Sequence, residues 1–255
     1  MNVKGILLDL DGVLYTGDNP LPGAPGAVRY LKGRGYITRF LSNTTRYSRA
    51  TIESRLLAFG FDIGEDEIIT PAVAAINYIL ETGLKRCHLL TTRDIHSEFE
   101  AAGLFHQNTE ADWVVVGDAG DNFNYDTMNQ AFRLVQGGAG LIALEKDRYW
   151  MGSDGWMLSA GPFVRGIEYA TGKTAALIGK PSPGFFGMAL RDMGLIPADA
   201  VMIGDDVVSD TGGAMKAGMQ GILVKTGKFN LEALVGADPG PTMIIRSIAE
   251  IDTIL

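Results

Sequence analysis

Acidic residues follow two strongly apolar runs, and this pattern is the first chemical signal in the chain. The stretch "GILLDLDG" sets Asp9 and Asp11 one residue apart behind Ile6, Leu7 and Leu8, and "AVMIGDDVVSD" sets Asp205, Asp206 and Asp210 behind Val201, Met202 and Ile203. Short apolar runs of this kind predict buried strands. Carboxylates at the end of a buried strand lose hydration, and like charges sharing a site raise each other's pKa. A divalent cation relieves both costs, and an all-oxygen donor set with room for water and phosphate suits Mg2+. Two further stretches fit a phosphate. "TRFLSNTT" ends an apolar run at Ser42, with Asn43 and Thr44 next, so a hydroxyl and backbone N–H groups can hold phosphoryl oxygens. "LIGKPSP" carries Lys180 in a short loop before a helix, where a compact ammonium charge can meet phosphate. Each stretch alone has an ordinary reading: Asp-Gly forms turns, Ser-Asn-Thr makes a polar loop, and a single lysine is usually solvated. The ordered set of four is specific.

The elements that must carry these residues alternate between strand and helix patterns. Strands are predicted at Val3–Leu8, Tyr36–Leu41, His88–Leu90, Trp113–Val116, Leu141–Leu144, Ala200–Ile203 and Gly221–Val224. Helices are predicted at Pro25–Gly33, Ser48–Phe59, near Phe185–Met193 and near Val208–Ala217. Another starts at Thr70-Pro71, an N-cap hydroxyl followed by proline at the first helical position, and stops at Gly83. This alternation predicts an α/β fold, a parallel sheet with helices on both faces, whose ligands bind at the carboxyl ends of strands. Only 32 residues lie between Asp9 and Ser42, enough for one strand–helix–strand passage, whereas 137 lie between Ser42 and Lys180. A crossover needs little more than about a dozen residues, so the longer stretch must house an inserted domain. The expected division is a core from residues 1–82 and 175–255, with an insert at 83–174.

The series strand–Asp-x-Asp-Gly, strand–Ser-Asn, Gly-Lys-Pro, strand–Gly-Asp-Asp-x3-Asp resembles the haloacid dehalogenase superfamily and its phosphatase branch, over the chain from Asp9 to Asp210. The resemblance implies a Rossmann-like, doubly wound core with an inserted α/β C2 cap. It implies Asp9 as nucleophile, Asp11 as general acid and base, and Ser42 and Lys180 as holders of the transferring phosphoryl group, with Asn43 and Thr44 beside them. It implies Mg2+ held by Asp9, Asp11 and Asp205, with Asp206 and Asp210 supporting the metal's waters or Lys180. Dehalogenases lack the second aspartate of the first motif, so Asp11 argues for phosphoryl transfer. The position of the insert and the stretch "VVVGDAGDNFNYDTMNQAF" resemble the class IIA group. Several members of that group have Thr-Asn near Leu144-Glu145; this chain does not, so their substrates do not transfer to it. Caps of this class often support homodimers, although no stripe in the sequence singles out such a face.

Bulk properties narrow the partners. The chain has 255 residues, 46% hydrophobic and 20% charged, with a formal charge of −8. No basic stripe of the kind that binds nucleic acid appears. No apolar stretch approaches the roughly 20 residues of a membrane span. One cysteine, Cys87, leaves no disulfide framework, and Lys4 and Asp9 interrupt any signal-peptide pattern, so the expected setting is cytoplasmic and the expected partner a small phosphorylated metabolite. "ATGKT" at 170–174 lacks the earlier glycine of a phosphate-binding P-loop, and "DAGDN" at 118–122 lacks the calcium-loop pattern. His88, His96 and His106 sit at no metal-ligand spacing. Two rival readings are a phosphoaspartate receiver and a catalytically silent binding protein on the same fold. Receivers are about half this length and place their acids ahead of Ser/Thr and Lys. The intact set of Asp9, Asp11, Lys180 and Asp205 argues against a silent protein.

Overall fold

The computed structural model describes residues 3–152 and 155–255 and divides into two compact units. The first comprises Met1–Ser42, Arg49–Ile69 and Lys180–Leu255, and the second Asn43–Ser48 and Thr70–Gly179.

The first unit is built on a six-stranded parallel sheet in the order Met243–Ile245, Gln220–Val224, Ala200–Gly204, Gly5–Asp9, Ile37–Leu41, Ile68–Ile69. The Gly5–Asp9 and Ala200–Gly204 strands are buried along their whole length, which is why both read as continuous apolar runs rather than as alternation. Strand order reverses between these two, so successive strands run outward on either side of them. That switch point is where open α/β sheets bind ligands. The helix Ala24–Gly33 packs Ala27, Val28 and Leu31 into a core shared with Ile6, Leu8, Phe40 and Ile203.

The second unit has its own four-stranded parallel sheet, in the order Ala176–Leu177, Gly140–Ala143, Trp113–Val116, Cys87–Leu90. The helix Pro71–Thr82 behaves locally as its sequence predicts. The Thr70 hydroxyl accepts from Val73 N–H, and Gly83 closes the helix at φ 73°. Its buried face, Ala72, Ala75, Ile76 and Ile79, packs with Cys87, Leu89 and Phe99. The unit boundary therefore falls before this helix, at 69/70, and not at the expected 82/83; the far boundary falls at 179/180 and not 174/175. Local pattern identifies a helix but not the sheet that buries its face.

Two further differences are instructive. In place of a regular helix over 208–217, a wide turn covers Val207–Gly212 and a short helix follows at Gly213–Lys216. The strands Ile68–Ile69 and Met243–Ile245, and the hairpin Tyr149–Gly152 with Gly155–Leu158, are too short for periodicity to announce. Among the described residues, no helix is long and apolar enough to cross a membrane.

Candidate active site

Register brings the predicted residues to one edge of the first sheet. Asp9 pairs with Leu41, so Ser42 lies one step beyond. Leu8 pairs with Ile203, so Asp9 lies one residue past this last pair on its strand and Asp205 two residues past it on the neighbouring strand. Asp9, Ser42 and Asp205 are 7%, 5% and 2% exposed, so each is desolvated. Ser42 N–H is spent on Ile69 O at 3.0 Å, extending the ladder.

Lys180 closes the group. Its Nζ donates to Asp9 Oδ1 at 2.5 Å and to Asp210 Oδ1 at 2.7 Å, with the ammonium itself buried. Asp210 Oδ2 accepts from Asp206 N–H at 3.1 Å, so both its oxygens are engaged. Gly204 makes room for this: a Cβ there would stand 2.2 Å from Asp210 Cβ. Asp206 caps the wide turn, its Oδ1 accepting from Val208 and Ser209 N–H at 2.7 and 3.0 Å. Asp9, Asp205 and Asp210 each present one oxygen within 4.8 Å of the others. Burial pushes Asp9 up to about 7; Lys180 and Lys228 pull against this, and Asp210 adds to it. Burial with repulsion from Asp9 and Asp210 pushes Asp205 up to about 8, opposed by the N–H and charge of Lys228. Burial works to lower Lys180, but the two carboxylates it serves outweigh it and raise its pKa, so it stays charged.

Asp11 stands apart. The chain leaves the strand after Asp9 and turns at Gly12, with φ 88°, and Asp11 is exposed and outside the carboxylate group. The side-chain carboxylates that converge are thus those of Asp9, Asp205 and Asp210, and the Asp11 carboxylate is not among them. The protein mass around Asp11 still raises its pKa, with Lys228 and Arg55 acting in the opposite direction. Asn43 and Thr44 follow Ser42 but belong by their contacts to the second unit.

One element of the site escaped the sequence reading, the segment Thr226–Lys228. Lys228 N–H donates to Asp205 Oδ2 at 2.6 Å, and Thr226 Oγ1 donates to Gly12 O at 2.5 Å. Added Cβ atoms at Gly12 and Gly227 would come within 2.0 and 1.9 Å of Asp205 Oδ2. These two glycines therefore hold two loops tightly against Asp205, which leaves its Oδ1 for another partner. The signal was present as "KTGKF" directly after an apolar strand, but a lone Thr-Gly-Lys gives no reason to be singled out.

Comparison with known proteins decides the lineage. Residues 6–105 match a family model described as haloacid dehalogenase-like hydrolase, and residues 177–251 match one described as HAD-hydrolase-like. The chain belongs to the haloacid dehalogenase-like hydrolases. It is 43% identical to human haloacid dehalogenase-like hydrolase domain-containing protein 2 over 96% of this chain and 93% of that protein. It is 42% identical to human phospholysine phosphohistidine inorganic pyrophosphate phosphatase over 89% of this chain and 84% of that protein. The p-nitrophenyl phosphatase from Archaeoglobus fulgidus superposes with a TM-score of 0.93 at 28% identity, covering 100% of each chain. The hydrolase is a class IIA phosphatase of that superfamily.

The residues of this hydrolase fit a hard divalent cation. The donors are all carboxylate oxygens, they converge, and burial raises the pKa of Asp9 and Asp205, a cost that a Mg2+ ion offsets. The other motifs have structural occupations. Lys173 of "ATGKT" donates to Val135 O at 2.5 Å, at the end of the helix Tyr125–Gln136. The three histidines pack on one another, with His106 ring centroids 4.9 Å from His88 and 5.3 Å from His96. Cys87 is buried.

Proposed function

We propose that the enzyme is a Mg2+-dependent phosphatase that hydrolyses a small phosphorylated substrate in two steps through an aspartyl-phosphate on Asp9. The observation that carries this reading is the buried Lys180 ammonium bridging Asp9 and Asp210 beside Asp205. Lys180 holds Asp9 ionised and oriented and offers its charge to the phosphoryl oxygens, without which two anions would not approach. Asp9 attacks phosphorus as its leaving group departs. Asp11, outside the cluster and exposed, gives its proton to the leaving atom and then takes one from the water that cleaves the acyl phosphate. Ser42, with Asn43 and Thr44, fixes the phosphoryl oxygens. Asp9 and Asp205 would hold the metal, whose chemistry is to neutralise charge on the phosphoryl group. Asp210, with both oxygens committed, positions Lys180.

The second unit acts in this reading as a C2 cap that excludes bulk water and selects the leaving group. The names of the phosphatase relatives point to p-nitrophenyl phosphate, pyrophosphate and N-phosphorylated side chains as the first compounds to try. Assembly as a homodimer through the second unit belongs to the same reading and is checked by sedimentation. The deciding experiment is Asp9→Asn. Turnover and acid-stable phosphoprotein should both vanish, and addition of EDTA to wild type should abolish activity that Mg2+ restores. Near-wild-type turnover of the variant sinks the nucleophile assignment. A phosphoaspartate persisting for many minutes would favour a receiver instead.

A further inference from the structure

The six residues after Ser42 leave the first unit. By their contacts Asn43–Ser48 belong to the second, although Ser42 and Arg49 on either side belong to the first. The segment is tied to the second unit at three points. Thr45 Oγ1 accepts from Asp118 N–H at 2.8 Å, Thr92 Oγ1 donates to Arg46 O at 2.7 Å, and the Asp94 carboxylate takes both donors of Ser48. In that last contact Ser48 N–H reaches Asp94 Oδ2 at 2.7 Å and Ser48 Oγ reaches Asp94 Oδ1 at 3.0 Å. Thr45 and Ser48 are each 3% exposed; the Thr45–Asp118 bond is buried and the others are partly buried. Two glycines keep the space for the segment. A Cβ at Gly117 would stand 3.1 Å from Thr45 Cβ, and one at Gly179 would stand 3.0 Å from Asn43 Oδ1. Gly179 immediately precedes Lys180, so the residue after Ser42 lies beside the residue before Lys180.

We propose that Asp94 is a positioning residue for phosphate binding: by gripping Ser48 at both donors it fixes the far end of a six-residue strap whose near end is Ser42. This rests on the reading of Ser42, Asn43 and Lys180 as phosphoryl holders. Hydrogen bonds to a charged acceptor are stronger than neutral ones, the two to Asp94 are partly buried, and the strap has no helix or strand of its own. Side-chain anchors therefore replace regular structure as the source of its order. Asp94 lies in the first turn of the helix Arg93–Ala101, a rigid element on which to mount a grip.

The test compares Asp94→Ala, Asp94→Asn and Ser48→Ala in the full chain with p-nitrophenyl phosphate and Mg2+. Asparagine keeps an acceptor for the Ser48 amide and a donor for its hydroxyl, so Asp94→Asn should stay close to wild type. Asp94→Ala should raise KM, and the inhibition constant of orthophosphate in parallel, by about tenfold while kcat changes far less, the signature of lost ground-state phosphate binding. Ser48→Ala should fall between and add nothing in the Asp94→Ala background. Amide exchange at residues 43–48 should quicken in Asp94→Ala whether or not the compound is turned over. Inactivity of wild type would count against the site reading and leave the exchange to judge the anchor. Unchanged exchange, or faster exchange with KM and orthophosphate inhibition unmoved, overturns the proposal.

Discussion

Both units bury carboxylates just past the ends of parallel strands, yet they use them in opposite ways. In the first unit Asp9 and Asp205 are brought together with Asp210 around Lys180, and burial and mutual repulsion raise Asp9 and Asp205. In the second unit the equivalent groups are satisfied one at a time. Glu145, just after the Gly140–Ala143 strand, accepts from Asp147 N–H, from Ser159 Oγ at 2.6 Å and from Ala160 N–H at 2.8 Å. Asp118, just after Trp113–Val116, accepts from Gly120 N–H at 2.9 Å and pairs with Arg46 at 3.4 Å. Burial raises Glu145 too, but its hydrogen bonds work against that. A strand end supplies a place for a carboxylate; whether it becomes chemistry depends on whether its neighbours are donors or other carboxylates.

The sharpest way to break this contrast is to remove the cation of the first unit. Lys180→Met should cut turnover by at least about 100- to 1,000-fold, as loss of a charge-stabilising donor does. It should also destabilise the apo-protein by about 3–5 kcal/mol, because two buried carboxylates lose their partner; chemical denaturation checks the second effect. Next in size is Gly12→Ala. The new Cβ meets Asp205 Oδ2 in a backbone conformation, φ 88°, that side chains rarely adopt. Mg2+ affinity measured by titrating activity should fall about 10- to 100-fold, the usual cost of displacing a ligand's support.

Changes in the second unit should reach stability instead of chemistry. Glu145→Ala strands three donors and should cost about 1–3 kcal/mol, lowering Tm while turnover well below the melting range stays unchanged. A loss of turnover there would place Glu145 in the site and erase the contrast. The smallest effect concerns the histidines. Burial lowers His88, helped by His106 and His96 against the Gln107 carbonyl; burial lowers His96, helped by His106 and Arg93 against Glu100. A histidine depressed in the folded state contributes stability above its ordinary pKa of about 6.5 and loses it as pH falls through the lower folded value. Tm should therefore decline modestly from pH 7 to pH 5, and His96→Gln should flatten that slope.

How much of this was legible in the sequence differs by residue. Asp9, Asp205 and Lys180 announced themselves because buried strands are written as unbroken apolar runs and a charge at their end is conspicuous. The helix Pro71–Thr82 was legible from Thr70-Pro71 to Gly83, but its allegiance was not, since Ala72, Ile76 and Ile79 would suit either sheet. That the Asp210 carboxylate converges with Asp9 and Asp205 while that of Asp11 does not was not legible, because a turn at Gly12 and a wide turn at Val207–Gly212 set the chain there, and neither geometry has a periodic signature. Thr226–Lys228 went unnoticed because its contribution is a backbone N–H, which every residue but proline carries.

The sequence by itself determined an alternating α/β chain, an insertion long enough to be a second unit, and a set of acids and a lysine placed where strands end. These follow from local rules, namely burial periodicity, capping and chain length. Only the tertiary structure decided which carboxylates converge, which are quenched by backbone donors, and that the strap after Ser42 is gripped by Asp94. Those outcomes depend on distances between residues up to 201 positions apart, from Asp9 to Asp210, and such distances are fixed by sheet register and packing, not by any stretch of chain read on its own.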